Sequence, residues 1–340
     1  HVVPAIVLYE HLTKEIDVII STDKRGLKYL DKSIYQLEII NTPKSKNIFF
    51  LPFYFIIILI LTIKSLYLLK NKKIERVFSI GGYMSLPLIL AAKLLNLKIY
   101  LIEPNHVLGR ANKFYLNFSK KIFCYSEKIR NFPDKFKNKL ININLLIKKE
   151  IYKTKLLDEI NNQFTLLIVG GSQGANFFDS NLKNIIVNIS KKLNIKVIQQ
   201  TSEKNTVFLK NFYATNNVEN QIFSFSKDFT KNILQADLCI TRAGASTLAE
   251  LSFLNVPFIA VPLPNSKDNH QFENANFYKN NDCCWLIEQE HFDKKIEDLL
   301  KEIIINKTNY LKKKQNLKKL NYQNTWINVN QKILKIINEN

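Results

Sequence analysis

The residues best suited to bind a charged ligand stand in DLCITRAGASTLAE, residues 237–250. An apolar strand is followed there by a turn, and Ala245, Ser246 and Thr247 then open a predicted helix. The N–H groups at such a helix start suit a diphosphate, because they carry partial positive charge. Glu250, one turn further in, can accept two hydrogen bonds from vicinal hydroxyls such as those of a ribose.

The same residues also fit a structural interpretation. Ser246 and Thr247 are common helix caps, and an acid in the position of Glu250 complements the helix dipole. A second polar group, Asp268 to Gln271, follows the next apolar strand, VPFIAVPLP, at another predicted helix start. The two groups together favour a binding site over capping alone.

Two glycine turns separate a strand from a helix in the same way. RVFSI passes through GGYMS into LPLILAAKLL, and FTLLIV passes through GGSQG, residues 170–174, into a helix. Such turns suit phosphate, but neither contains the GK[ST] of a Walker loop or a complete GxGxxG.

Strands and helices alternate along the whole chain, which predicts parallel sheets covered by helices. The predicted strands of the first half are DVIIST, QLEII, RVFSI, KIYLIE and KIFCYS, and those of the second are TLLIVG, IKVIQQ, QIFSF, DLCIT and PFIAVP. We therefore predict an α/β protein with domains at 1–150 and 151–325, and a last helix at 326–340 that packs back on their junction.

The composition limits the classes of partner. Lys and Arg total 49 against 29 Asp and Glu, a formal net charge of +20 over 340 residues. The charge is scattered, without an arginine-rich run or an aromatic-interleaved basic patch, so nucleic acid is not expected. The four cysteines lack metal-type spacing and fit a reducing cytosol.

One apolar run, IFFLPFYFIIILILTI, occupies residues 48–63. A spanning helix needs about 20 apolar residues, so this run is expected to form a partly buried helix whose exposed face touches lipid. A spanning helix stays the alternative. The flanking lysines favour an anionic surface and are Lys44, Lys46, Lys70, Lys72 and Lys73.

Four segments in order, GGYMSLPLILAAKLL, EPNHVLGRANK, GGSQGAN and RAGASTLAEL, resemble the peptidoglycan N-acetylglucosaminyltransferases of the two-domain GT-B class. The resemblance implies two doubly wound Rossmann-like domains facing across a cleft. It also implies inverting transfer of N-acetylglucosamine from UDP-N-acetylglucosamine to undecaprenyl-diphosphate-linked muramoyl-pentapeptide. This reaction converts lipid I to lipid II. It implies no metal and no cofactor, and a peripheral place on the cytoplasmic face of the bacterial plasma membrane.

The resemblance also implies site residues. Acceptor binding falls on Gly81, Gly82 and Tyr83, and the candidate bases are His1, Glu103 and His106. The implied donor residues are Asn105, Lys148, Ser172, Gln173, Ser226, Ala245, Ser246, Thr247, Leu248, Ala249, Glu250 and Gln271. The chain departs from the family where Lys148 stands for a diphosphate-binding arginine, and where Pro104 and Ile102 replace a glutamine and a histidine.

The first residues, HVVPAIVLYEHL, read as a helix without a start signal. His1 matches the end of the family's GGTGGH loop, so the first strand and glycine loop of the domain are expected upstream of His1.

Two other functions remain open at this point. One is a different GT-B enzyme, either a lipid-linked sugar transferase with another acceptor or a UDP-N-acetylglucosamine 2-epimerase. The other is a non-catalytic, membrane-associated nucleotide-sugar binder, which would bind UDP without turnover.

Overall fold

The computed structural model describes residues 2–43, 49, 51–154, 163–226 and 228–339, without the side chains of residues 51 and 172–174. The strands are β1 (Ile20–Thr22), β2 (Leu37–Ile39), β3 (Arg76–Ser79), β4 (Lys98–Glu103), β5 (Lys121–Cys124), β6 (Leu140–Asn142), β7 (Phe164–Val169), β8 (Ile195–Gln200), β9 (Glu219–Phe223), β10 (Leu238–Thr241), β11 (Phe258–Ala260) and β12 (Cys284–Leu286). The helices are α1 (Val2–Leu12), α2 (Leu51–Asn71), α3 (Leu86–Leu94), α4 (Arg110–Tyr115), α5 (Lys149–Tyr152), α6 (Gly171–Ser190), α7 (Glu203–Thr215), α8 (Phe229–Leu234), α9 (Ala245–Phe253), α10 (His270–Asn280), α11 (Phe292–Ile305), α12 (Lys307–Leu320) and α13 (Trp326–Glu339).

The chain folds as two compact units. The first consists of His1–Tyr152 together with Asn324–Asn340, and the second is Lys153–Gln323. The last helix, α13, therefore belongs to the first unit, where it packs against α1. The acceptor and donor roles expected of the two halves stay predictions.

The first unit contains the parallel pair β1-β2 and a parallel sheet of order β3-β4-β5-β6. Successive residues of β4 enter two different apolar clusters: Ile99 and Leu101 pack with α2, α3 and α4, whereas Tyr100 and Ile102 pack with α1 and α13. Because side chains alternate across a strand, helices cover both faces of this sheet.

The second unit is built on one six-stranded parallel sheet of order β12-β11-β10-β7-β8-β9. Helices α6, α7 and α11 pack their apolar residues against it in one continuous core. The strand order reverses between β7 and β10, and open α/β sheets bind ligands outside the carboxyl ends of their strands at such a point. The prediction of a parallel α/β architecture is confirmed, and the short strands β6 and β12 were not predicted.

The helix that contains the apolar run extends beyond the predicted residues 48–63. α2 continues through Lys64 to Asn71, and its segment Pro52–Asn71 is 20 residues long with a mean hydropathy of 2.1. It is the one helix in the described residues that is long and apolar enough to cross a membrane, by length and composition alone. The predicted run, from residue 51 on, is therefore part of a longer helix, and the spanning alternative stays open beside the preferred lipid-touching one. Lys44, Lys46 and Ile48 lie outside the described residues.

Candidate active site

A cavity of about 200 Å³ opens in the second unit, where β7, β10 and β11 end. It is lined by Val169, Gly170, Gly171, Thr241, Arg242, Gly244, Thr247, Leu263 and Gln271. Two predicted elements, the GGSQG turn and the helix start after TRAG, thus contribute to the same cavity. Predicted donor residues Thr247 and Gln271 are among its walls.

Helix α9 begins at Ala245, as the sequence predicts. Gly244 precedes it in an extended conformation, and a Cβ at this glycine would meet nothing within 4 Å, so the approach to the helix start is open. The first-turn N–H groups of α9 have no intrahelical partner and lie at the cavity, where they favour an anion.

The predicted donor residues of α9 divide by burial. Ser246, Thr247 and Glu250 are half-buried, whereas the side chains of Leu248 and Ala249 are buried in the core. Leu248 and Ala249 can therefore offer a ligand only backbone atoms, and Glu250 keeps a partly accessible carboxylate one turn into the helix.

The glycine turn of the second unit is shorter than expected. Helix α6 begins at Gly171, so Ser172 and Gln173 stand in its first turn and not in a loop. Gly171 adopts a φ of +61°, and its N–H donates to Gln200 Oε1 at 3.0 Å. Gln200, at the end of β8, thus holds the turn in place, and the prediction did not include it. The Ser172 and Gln173 side chains lie outside the described part of the chain.

The side chain of Gln271 is fixed by a hydrogen bond to its amide oxygen. Leu263 N–H donates to Gln271 Oε1 at 3.0 Å, which leaves the amide NH2 of this cavity residue to donate to a ligand. Ser226 follows β9 and is half-buried, and it is not among the residues that line the cavity.

The glycine turn of the first unit, after β3, is held in place by hydrogen bonds from side chains. Gly81 and Gly82 have φ values of 83° and 84°, which favour glycine. Tyr115 OH and Ser85 Oγ both donate to the Gly82 carbonyl, at 3.1 and 2.9 Å. Tyr83 follows, partly exposed, with the Arg25 guanidinium 5.3 Å from its ring centroid.

Glu103 ends β4 and is buried, with four donors around its carboxylate. Oε1 accepts from the backbone and side-chain nitrogens of Asn105 at 3.2 and 3.0 Å. Oε2 accepts from Gly109 N–H at 2.9 Å and Asn112 Nδ2 at 3.0 Å. Burial raises the pKa of Glu103, while these hydrogen bonds act in the opposite direction. With both oxygens occupied, this geometry favours a positioning role over proton transfer.

The structure describes two further predicted site residues, His106 and Lys148, and neither lines the cavity of the second unit. His106 is buried, and burial lowers its pKa to about 4, so the imidazole is neutral and weakly basic at neutral pH. Lys148 is 3.6 Å from Glu150 in an ion pair. His1 lies outside the described residues. Within the described ranges, no three His, Cys, Asp or Glu side chains gather as a metal site.

The apolar helix α2 has two different sides. Thr62, Ser65 and Leu69 are buried on the side that packs against α3. The Thr62 and Ser65 hydroxyls donate to the carbonyls of Ile58 and Leu61 within the helix. The other side exposes large apolar residues, namely Phe53, Phe55, Ile56, Leu59, Ile60, Ile63 and Tyr67. The predicted exposed apolar face is confirmed, and an uncovered patch of this kind marks an interaction surface.

Comparisons with known proteins cover both units. Residues 1–124 match the glycosyltransferase family 28 N-terminal domain, and residues 165–325 match the glycosyltransferase family 28 C-terminal domain. The chain is 47% identical over 342 residues to the UDP-N-acetylglucosamine--N-acetylmuramyl-(pentapeptide) pyrophosphoryl-undecaprenol N-acetylglucosamine transferase of Pelagibacter ubique, with 100% of this chain and 96% of the relative covered. It is 33% identical over 317 residues to the protein of the same name from Rickettsia canadensis, with 90% of this chain and 88% of the relative covered.

A solved structure shares the fold. MurG of Acinetobacter baumannii superimposes with a TM-score of 0.78 at 22% identity, over 100% of this chain and 96% of the other.

Proposed function

The chain belongs to glycosyltransferase family 28, and from that membership we propose that it transfers N-acetylglucosamine from UDP-N-acetylglucosamine to undecaprenyl-diphosphate-linked muramoyl-pentapeptide. The product would be lipid II, for peptidoglycan biosynthesis. The observation that carries the proposal is the 47% identity to a relative of that name over the whole chain. The resemblance that the four motifs indicated is thereby confirmed.

The cavity of the second unit is the proposed donor site. The diphosphate would lie against the start of α9, where first-turn N–H groups without an intrahelical partner favour the charge that develops as UDP leaves, and beside the start of α6, whose dipole acts in the same direction. Glu250 would accept the ribose hydroxyls, and the amide NH2 of Gln271 would donate to a sugar hydroxyl. Asn105, Lys148, Ser172, Gln173 and Ser226 keep the donor-binding roles that the resemblance implies.

The turn at Gly81, Gly82 and Tyr83 is the proposed acceptor site. The acceptor hydroxyl would attack the anomeric carbon from the face opposite UDP, so the configuration inverts to a β-linkage. A base must remove the hydroxyl proton. Because the Glu103 carboxylate is fully hydrogen-bonded and the His106 imidazole is buried, we assign both to positioning, and His1 remains the candidate base. Neither a metal nor a cofactor is required by this scheme.

The exposed face of α2 is the proposed membrane contact. Its apolar residues, together with exposed Lys70, Lys72 and Lys73, have the composition of a segment that lies in an anionic interface. Since the helix packs its other side on α3, a peripheral association fits better than a spanning one. The lipid-linked acceptor would then be reached from the cytoplasmic face of the bacterial plasma membrane, and nucleic acid is not an expected partner.

A transfer assay tests the proposal. Labelled UDP-N-acetylglucosamine is supplied with lipid I in vesicles, or with diacylglycerol in matched vesicles. We expect label in a β-linked disaccharide product from lipid I alone. Transfer to diacylglycerol in its place would assign another acceptor, and UDP binding without turnover on either lipid would indicate a non-catalytic binder.

A further inference from the structure

Arg242 is a buried guanidinium in the wall of the cavity. It follows β10 directly, its side chain is 7% exposed, and it lines the cavity together with Gly171 and Thr247. Cavity walls with a buried charge are uncommon, because transferring an ion out of water costs several kcal/mol unless a partner compensates. The identity of that partner is therefore the question that Arg242 raises.

Across the described ranges of the chain, Arg242 contacts only neutral groups. Its Nη1 donates to the carbonyls of Val261 at 3.1 Å and Pro262 at 3.3 Å, and its Nη2 donates to Gln289 Oε1 at 2.7 Å. The rings of Phe177 and Phe178 lie 4.7 and 5.2 Å from the guanidinium carbon. These contacts hold the side chain in one place without neutralising its charge.

In the described part of the chain, the guanidinium of Arg242 has no carboxylate partner. Among the residues that the structure describes, no Asp or Glu oxygen lies within the 4.0 Å of an ion pair, and the buried Nε has no hydrogen-bond partner. Burial lowers the pKa of Arg242 to about 10, which still leaves the group charged at neutral pH. The second unit thus keeps an uncompensated positive charge next to an open cavity.

We propose that the compensating anion is the diphosphate of the bound nucleotide. The positive charge of Arg242, in the cavity wall, then strengthens nucleotide binding by electrostatic attraction to the diphosphate. The inference rests on the donor site proposed above and adds a residue to it. A buried charge is poorly screened by salt, so its attraction reaches an anion beyond hydrogen-bond distance. Arg242 is in this sense a positioning residue for the diphosphate.

A purely structural role is the competing explanation. The carbonyls that Arg242 holds belong to Val261 and Pro262, which directly precede Leu263, and Leu263 N–H fixes Gln271. Removing Arg242 would disturb this chain of contacts as well as the charge. The substitution Gln289→Glu separates the two roles, because it keeps an acceptor oxygen against Nη2 and places a negative charge beside the guanidinium.

Calorimetric titration with UDP and with uridine provides the test. We expect Gln289→Glu to weaken UDP binding about tenfold and to change uridine binding less than twofold, with a melting temperature at or above that of the wild type. Gln235→Glu, an exposed glutamine of the same unit, makes the same change in net charge and should bind both ligands as the wild type does. A UDP affinity within twofold of the wild type in Gln289→Glu, or a parallel loss of uridine binding, overturns the inference.

Two further outcomes are assigned in advance. If the wild-type protein binds no UDP, both the proposed function and this inference fail. If Gln289→Glu lowers the melting temperature, Arg242→Lys decides, since it keeps the charge but loses the planar fork. UDP affinity retained within threefold then supports the role of the charge, and equal losses for UDP and uridine overturn it.

Discussion

Glu103 and Asn112 are joined by a hydrogen bond of 3.0 Å from Asn112 Nδ2 to Glu103 Oε2, both groups being buried. The same amide nitrogen donates to the Ile102 carbonyl at 3.0 Å. A Cβ on Gly81 would lie 3.2 Å from the Asn112 amide. Asn112 of α4 therefore joins the end of β4 to the glycine turn after β3.

Replacing Glu103 tests this arrangement. Glu103→Gln would turn an amide NH2 towards N–H donors, and a buried unsatisfied donor costs about 1–3 kcal/mol. We expect a lower melting temperature and a lower kcat, with the pH profile of kcat/KM unchanged in shape. The exposed Glu127→Gln serves as the control. Loss of one limb of the pH profile would instead identify Glu103 as the base.

The ribose assignment depends on Glu250. Removing a carboxylate that accepts ligand hydroxyls costs about 1.5–3 kcal/mol, which corresponds to a tenfold to hundredfold weaker affinity. We therefore expect Glu250→Ala to weaken UDP binding by that factor without changing the melting temperature. Glu203→Ala, on the exposed start of α7, is the matched control. Unchanged UDP affinity in Glu250→Ala would contradict the assignment.

The stability of the first unit should depend on buried histidines. His11 stacks on Trp326 with ring centroids 3.6 Å apart, and burial lowers its pKa from 6.5 to about 4. The unfolded chain binds more protons than the folded one between these values, so the free energy of unfolding falls as the pH decreases through this window. The free energy of unfolding falls by about 1.4 kcal/mol per pH unit for each such histidine. Burial lowers the pKa of His106 to about 4 as well, so His106 contributes a second loss of this size.

Urea unfolding at pH 7, 6 and 5 measures this dependence. His11→Phe keeps a ring against Trp326 and removes the proton, so its stability should fall about half as steeply as that of the wild type. Equal slopes for His11→Phe and the wild type would show that His11 does not control the acid stability.

Binding to vesicles tests the exposed face of α2. Ile63 on this face and Val207 on α7 are 65% and 69% exposed. We expect the wild type to sediment with anionic vesicles and to be released by high salt or alkaline carbonate. Ile63→Glu should reduce sedimentation several-fold, because it places a charge in the proposed apolar contact, and Val207→Glu should not. Resistance of the wild type to both washes would favour a spanning helix.

The sequence predicted those features of the candidate site that depend on a few neighbouring residues. The start of α9 at Ala245 and the glycine turn between β3 and α3 follow from residue types over a few positions, and the structure adds the positive φ values at Gly81 and Gly82. The end of the apolar helix was misjudged because Lys64 interrupts the apolar run. An exposed lysine is tolerated within α2 because its long apolar stem can lie along the helix surface while the charged end reaches water.

Contacts between distant segments could not be predicted in this way. The burial of Glu103 depends on Gly109 and Asn112, which reach it through the loop after β4. The environment of Arg242 is assembled from α6, the two residues after β11 and the residues before α11, and no periodicity in the sequence links these segments. The one available signal was an arginine directly after a predicted strand, in a segment predicted to bind a diphosphate.

The packing of α13 on α1 has a consequence for the order in which the protein can form during synthesis. Val329, Ile333 and Ile337 share one apolar cluster with Val7, Leu8 and Leu12. The second unit, Lys153–Gln323, is complete in the growing chain before any of α13 has been translated. The second unit therefore needs no residue of α13 to complete its fold, whereas the core of the first unit is complete only when α13 has joined α1.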